Sequence, residues 1–272
     1  MFDLSLILDQ LKDPQTLIIL IGTSLISFLV CSFFFSSKDD RQTDKPKAEE
    51  EEPEPPRNFT YDQLKMFNGE DEDKPIYVAL KGDVFDVSAA AGYYGKEGAY
   101  SMFAGHDATK NLAKLSFEQE DLNQPSTEGL SATEIDSLDG WYTTFKLHKQ
   151  YPIVGRVVTP PKPRKISREE LIEMTGKQPV PEGYATAPIC IGVKGSVYDV
   201  SFGGVPFYTE GAPYHLFAGK DASRALAKMS FKDEDVNNPD ISGLIDKEKK
   251  VLNDWEDTFK VKKKYPIIGH CD

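Results

Sequence analysis

Apolar residues run without a charge from Leu17 to Phe35. Such a run is long enough to cross a bilayer as one helix. The pattern predicts a short N-terminal tail over residues 1–16 and a transmembrane helix over residues 17–35.

A cleaved signal peptide is the alternative for this run, but that class has a basic start and a small-residue cleavage site. Here Asp3, Asp9 and Asp13 precede the run, and three phenylalanines end it. Four basic residues follow it, which places the rest of the chain in the cytosol by the positive-inside rule: Lys38, Arg41, Lys45 and Lys47.

Two segments are too polar or too rich in proline to pack. Residues 36–57, with the run AEEEEPEPPR, predict a disordered acidic linker. Residues 157–164, VVTPPKPR, favour extended polyproline II. We expect this second linker to act as a semi-rigid tether that holds the regions on either side near each other.

The regions that the tether joins show short alternating patterns. YDQLKMF from Tyr61 and REELIEM from Arg168 predict amphipathic helices. The stretches at 76–88 and 189–201 alternate around a central Lys-Gly and predict β-hairpins. Asp107 and Asp221 are expected N-caps of two further helices. The fold class predicted is α+β, with a small sheet and several short helices.

Residues 94–117 recur as residues 208–231, and the same spacing relates Trp141 to Trp255, Phe145 to Phe259 and Tyr151 to Tyr265. The repeat has the size of a small domain that buries its own core. It predicts two tandem globular modules, over residues 58–156 and 165–270. The chain length of 272 residues agrees with this count.

Composition excludes several classes of function. A net charge of −12 argues against a nucleic-acid surface, which needs clustered cations. The three cysteines, Cys31, Cys190 and Cys271, do not recur between the copies and predict neither a disulfide framework nor a metal motif. We find no Walker loop, HExxH or GxSxG sequence, and we expect no enzymatic activity.

The repeated strings carry a resemblance. GDVFDVS and GSVYDVS, a glycine-rich loop, and then AGHDAT and AGKDAS are similar to the cytochrome b5-type haem-binding fold. YYGKEGAYSMFAGHDAT and FYTEGAPYHLFAGKDAS resemble more closely the membrane-associated progesterone receptor family within that fold. The resemblance implies two cytochrome b5-like haem/steroid-binding domains after the transmembrane helix.

No histidine recurs between the copies, because His106 corresponds to Lys220 and His215 to Ser101. Tyrosines do recur, and a phenolate is a known axial donor to haem iron. The resemblance implies a non-covalent b-type haem in each module, with Tyr100 and Tyr214 as the iron ligands.

The resemblance also implies that Tyr94 and Tyr208 support the two pockets and that Lys264 and Tyr265 match a Lys-Tyr pair that lines one of them. The first module keeps Tyr151 of this pair but has Gln150 before it. The alternative for all these tyrosines is a place in the core, with their hydroxyls paired internally. The loops depart from the family pattern at Thr209, which replaces a glycine, and at Ala99, which replaces a proline.

The function that the resemblance implies is that of a haem- and steroid-binding adaptor. It would be held by a single span in the endoplasmic reticulum membrane with both domains in the cytosol. It would support haem-thiolate monooxygenases or other sterol-pathway enzymes. Haem-mediated pairing of modules or chains is a further expectation, since one haem face would stay open. The alternative is a cofactor-free scaffold that binds proteins or lipid, and the missing histidines disfavour an electron-transfer cytochrome.

Overall fold

The computed structural model describes residues 54–271, which form two α+β modules. The first module has a four-stranded sheet in the order β1-β4-β3-β2. Its strands are β1 (Arg57–Phe59), β2 (Tyr77–Leu80), β3 (Asp83–Asp86) and β4 (Ile153–Val157). Its helices are α1 (Tyr61–Leu64), α2 (Ala91–Tyr94), α3 (Thr109–Lys114) and α4 (Ala132–Thr143).

The second module repeats this layout with a five-stranded sheet in the order β5-β9-β7-β6-β8. Its strands are β5 (Arg164–Lys165), β6 (Cys190–Val193), β7 (Ser196–Asp199), β8 (Lys220–Asp221) and β9 (Ile267–His270). Its helices are α5 (Arg168–Glu173), α6 (Val205–Tyr208), α7 (Ser223–Lys228) and α8 (Asp246–Asp257). The predicted α+β modules are thus confirmed.

Both predicted hairpins form at their Lys-Gly turns. Strands β2 and β3 pair antiparallel around Lys81 and Gly82, and β6 and β7 pair around Lys194 and Gly195. All four turn residues have positive φ angles, between 51° and 83°. Positive φ at both central residues is the requirement of a two-residue turn that matches strand twist.

The predicted N-caps are displaced by one residue. The helices α3 and α7 begin at Thr109 and Ser223, so Ala108 and Ala222 occupy the N-cap positions. The carboxylates still satisfy the helix starts, because Asp107 accepts the Thr109 N–H at 2.9 Å and Asp221 accepts the Ser223 N–H at 2.9 Å. Each aspartate therefore caps its helix from the residue that precedes the N-cap position.

The predicted fold class also needs a correction at its N-terminal element. Within residues 54–271, no helix has the length and apolar character needed to cross a membrane. The predicted span 17–35 lies outside the described residues, as do the tail 1–16 and residues 36–53 of the acidic segment. Within the described residues, the architecture is therefore two α+β modules.

The two modules contact each other directly and belong to one compact unit. Asn58, in the edge strand β1, donates its backbone N–H to the carbonyl oxygen of Ser201 at 3.2 Å. Val158, from the predicted proline-rich linker, is buried in the core of the second module. The connection therefore contributes to packing in addition to joining the modules.

A buried carboxyl lies close to this contact. Asp199 is 1% exposed, and burial raises the pKa of its side chain to about 6, against the hydrogen bonds that it accepts from the backbone of Ser201 and Ile189. The ordinary pKa of an aspartate side chain is 3.8. The folded protein therefore keeps a proton on Asp199 at pH values at which the unfolded chain has lost it.

Asp199→Asn should remove this effect. Because the folded-state pKa is raised, the free energy of unfolding of the wild type should fall relative to the variant as the pH rises from about 4 to about 6, by up to about 3 kcal/mol. Urea denaturation of both proteins across this range measures the difference. Parallel stability curves would contradict the prediction.

Candidate functional site

A wall of aromatic rings surrounds Tyr100 in the first module. The half-buried Tyr100 ring lies 5.8 Å from that of Tyr94, between ring centroids. It stacks on Phe103 at 5.9 Å and on Phe117 at 6.1 Å, and Trp141 meets it edge-on at 6.5 Å. Packing of this kind fixes the ring while leaving part of the side chain accessible.

The second module builds the same wall around Tyr214. Its ring lies 5.9 Å from Tyr208, stacks on Phe217 at 6.1 Å and on Phe231 at 6.0 Å, and meets Trp255 edge-on at 6.2 Å. Tyr214 is also half-buried. The sequence repeat is therefore a repeat of one site.

In each module a buried phenylalanine contacts both the third predicted tyrosine and one of the other two. Phe145 is 1% exposed and contacts Tyr94 at 6.2 Å and Tyr151 at 5.4 Å. In the second module Phe259 contacts Tyr208 at 6.3 Å and Tyr265 at 5.4 Å. The structure thus brings all six predicted tyrosines into two clusters of three.

The phenylalanine and the third tyrosine of each cluster lie in irregular backbone turns. Phe145 and Phe259 lie in π-helical turns, Thr144–His148 and Thr258–Lys262, a geometry that recurs at functional sites. Gln150 and Lys264 follow in the left-handed region, with φ of 53° and 51°. This reversal places the next residue, Tyr151 or Tyr265, against the phenylalanine.

The loop that carries the axial candidate is the same in both modules. Tyr100 donates its N–H to the Tyr93 carbonyl at 2.9 Å, and Tyr214 donates to the Phe207 carbonyl at 2.8 Å. Thr209, the departure from the family pattern, donates its hydroxyl to the Val205 carbonyl at 2.9 Å. The end of α6 therefore accommodates Thr209 without a change in the loop.

Burial controls the electrostatics of the phenols. It raises the pKa of Tyr94, and the neighbouring phenols of Tyr151 and Tyr100 raise it further. Burial likewise raises the pKa of Tyr208 and Tyr214. Such phenols keep their protons at neutral pH, so a phenolate needs a nearby cation to form.

Tyr265 differs because a residue of the first module acts on it. Burial raises the pKa of Tyr265, and the guanidinium of Arg57 opposes that rise. Burial also raises the pKa of Tyr151, together with the phenol of Tyr93. The two pockets therefore share their geometry but differ in electrostatics.

Lys264, the remaining predicted pocket residue, lies in a groove between the modules. This cavity, of about 380 Å³, is lined from the first module by Thr60, Tyr61 and Asp62. The structure thus brings Lys264 next to the inter-module contact, one residue away from the buried Tyr265.

Two wall residues, Phe117 and Phe231, were not among the predicted site residues. Phe117 and Phe231 end the repeated string and stack in the site, so their recurrence was the available signal. Arg57 gave no such signal, because its role depends on contact between modules. Among residues 54–271, His, Cys, Asp and Glu side chains form no group of three suited to a metal ion.

Phe145→Ala should destabilise the first module by about 3–5 kcal/mol, because it empties the centre of the tyrosine cluster. Urea denaturation followed by Trp141 fluorescence, in a Trp255→Phe background, measures this. Leu147→Ala is the matched control from the same turn: Leu147 is 62% exposed, and we expect a change within about 0.5 kcal/mol. Equal effects of the two variants would contradict a central role for Phe145.

Comparisons with known proteins identify the family of both modules. The model of the cytochrome b5-like heme/steroid binding domain matches residues 60–158 and 179–271. Probable steroid-binding protein 3 of Arabidopsis thaliana is 54% identical over 37% of this chain and 98% of its own length. Membrane steroid-binding protein 2 of the same plant is 37% identical over 47% of this chain and 56% of its own length.

A third relative is the cytochrome P450 regulator dap1 of Schizosaccharomyces pombe, which is 32% identical over 51% of this chain and 88% of its own length. The family matches cover most of both modules, which confirms the predicted resemblance. The chain therefore belongs to the cytochrome b5-like haem/steroid-binding domain family.

Proposed function

We propose that this chain is a non-enzymatic adaptor that binds a b-type haem in each module, with Tyr100 and Tyr214 as the axial ligands. The observation that carries the proposal is the duplicated aromatic wall, which presents one half-buried phenol at the same place in both modules. A flat aromatic surface suits a flat, largely apolar ligand.

The donor set fits a ferric haem. A phenolate is a hard anionic oxygen and an established haem ligand, and the raised pKa of Tyr214 means that the metal must replace a proton. Bound haem would supply a ferric iron with one face open to a further ligand. Tyr94 and Tyr208 would orient their axial neighbours, and Tyr151 and Tyr265 would close the far side of each cluster.

The names of the relatives support the wider role. One is named as a membrane steroid-binding protein and another as a regulator of cytochrome P450. We extend to this chain steroid as a second ligand, haem-thiolate monooxygenases or other sterol-pathway enzymes as partners, and association with the endoplasmic reticulum membrane. Haem-mediated pairing of modules or chains stays a prediction.

The two tryptophans allow each module to be tested separately, since the chain has one Trp in each wall. In Trp255→Phe, haemin should quench Trp141, and in Trp141→Phe it should quench Trp255. Adding Tyr100→Phe to the first background should weaken haemin binding at least about tenfold, because the coordinate bond is lost. Tyr214→Phe should do the same in the second background.

The crossed combinations are the controls for this titration. Tyr214→Phe should leave the quenching of Trp141 unchanged, and Tyr100→Phe should leave that of Trp255 unchanged. Full haemin affinity in both variants that lack the local tyrosine would refute the axial assignment. A wild-type protein that does not quench at all would favour the cofactor-free scaffold.

Haemin affinity should also depend on pH. Because the Tyr214 phenol would release one proton on binding and burial raises its pKa, affinity at Tyr214 should rise with pH, by about tenfold per unit. Titrations at pH 6, 7 and 8 in the Trp141→Phe background measure the slope. A slope that is the same in the Tyr214→Phe variant would show that the titrating group lies elsewhere.

A further inference from the structure

The buried side chain of Gln63 joins the two modules. Gln63 lies in α1 of the first module and is 1% exposed. Its Nε2 group donates to the carbonyl oxygens of Phe202, at 2.7 Å, and Lys263, at 2.8 Å, both in the second module. Its Oε1 accepts the N–H of Thr60 at 3.1 Å. Both N–H groups and the oxygen of this amide are therefore used.

The two carbonyls that Gln63 holds belong to segments that carry pocket residues. Phe202 begins the segment 202–208, which ends at Tyr208. Within it the backbone of Gly204 is packed on the Tyr208 ring, since a Cβ there would lie 2.8 Å from the ring carbon Cδ2. Lys263 begins the segment 263–265, which ends at Tyr265. One amide thus bridges the two segments that present the supporting tyrosines.

Asn58 fixes the backbone immediately before the first of these segments. It is fully buried, and its Nδ2 group donates to the Thr186 carbonyl and to the Ser201 hydroxyl, both at 3.0 Å. Its Oδ1 accepts the N–H of Ala185 at 2.8 Å. Ser201 directly precedes the carbonyl that Gln63 binds.

Arg57 completes the contact beside a glycine of the same segment. A Cβ on Gly203 would lie 2.7 Å from the Nη1 atom of Arg57, so the guanidinium is pressed on this backbone. The Cζ atom of Arg57 also lies 4.1 Å from the centre of the Phe59 ring. The first module therefore supplies both a hydrogen-bonding amide and a cation beside the second pocket.

The second module uses the equivalent positions differently. Its α5 begins after the N-cap Ser167 as α1 begins after Thr60, which aligns Gln63 with Glu170 and Arg57 with Arg164. Arg164 and Glu170 form an ion pair with each other inside the second module. The side chains of Asn58 and Gln63, which bind across the boundary, therefore belong to the first module, whereas the equivalent Glu170 is bonded within the second module.

We propose that Gln63 is a positioning residue for the ligand pocket of the second module, where it holds residues 202–208 and 263–265 together across the module boundary. This inference rests on the proposed haem site for its ligand readout, but not for its structural readout. It makes the second pocket a composite of both modules, whereas the Tyr100 wall consists of first-module residues.

Gln63→Glu separates this role from helix capping. An ionised glutamate can still accept the Thr60 N–H, but it places a negative charge beside the carbonyls of Phe202 and Lys263 and donates to neither; a protonated one could donate to only one of them. The matched control is Glu170→Gln, the reciprocal change at the equivalent position of the second module.

Hydrogen exchange of the full chain without haem gives the structural readout. In Gln63→Glu, amides of residues 202–208 and 263–265 should exchange faster, with those of the Tyr100 loop unchanged.

Haemin titration gives the ligand readout. In the Tyr100→Phe background, Gln63→Glu should weaken binding by about tenfold, because two buried carbonyls lose their donor. In the Tyr214→Phe background it should have no effect, and Glu170→Gln should have none in either.

The outcomes are distinct. Unchanged exchange in Gln63→Glu overturns the inference, as does faster exchange with unchanged haemin affinity at the second module. An equal loss of affinity in both backgrounds also overturns it, because the effect would then be general. If the wild type binds no haemin, the proposed function fails and the exchange of residues 202–208 and 263–265 alone decides whether Gln63 positions them.

Discussion

Burial of one phenylalanine per module is the constraint on which the candidate site depends. Phe145 and Phe259 leave water almost completely and collect their neighbours in edge-on contacts. Burial of such rings is among the largest favourable terms in a small domain. The tyrosines packed on them are consequently held in place by the same free energy that stabilises the fold.

The same burial sets the chemistry of the phenols. Phenols taken out of water resist ionisation, so Tyr214 stays protonated until a cation compensates the charge. A ferric iron meets that condition and a neutral steroid does not. In the proposed function, haem would therefore bind at Tyr214 by replacing a proton, whereas a steroid would bind through the aromatic surface alone.

The repeat predicted the two modules, alternating patterns predicted their hairpins, and recurrence together with the family resemblance pointed to the six tyrosines. Each of these features depends mainly on contacts within a module. Sequence comparison could not predict the contact of Gln63 with Phe202 and Lys263. A glutamine in an amphipathic helix is expected on its solvent-exposed face, and its counterpart Glu170 is bonded within its own module. Asp107 shows a finer limit, since the residue type indicated a cap but the helix starts one residue later than expected.

The proposed function requires a tyrosine oxygen to hold iron in each module. A crystal structure of the haemin-loaded chain, with iron located by anomalous scattering at its absorption edge, tests it most directly. We expect two iron positions, each within coordinate-bond distance of the phenol oxygen of Tyr100 or Tyr214, with the porphyrin against the adjoining aromatic wall. Iron bound to a histidine, or lying away from both walls, would contradict it.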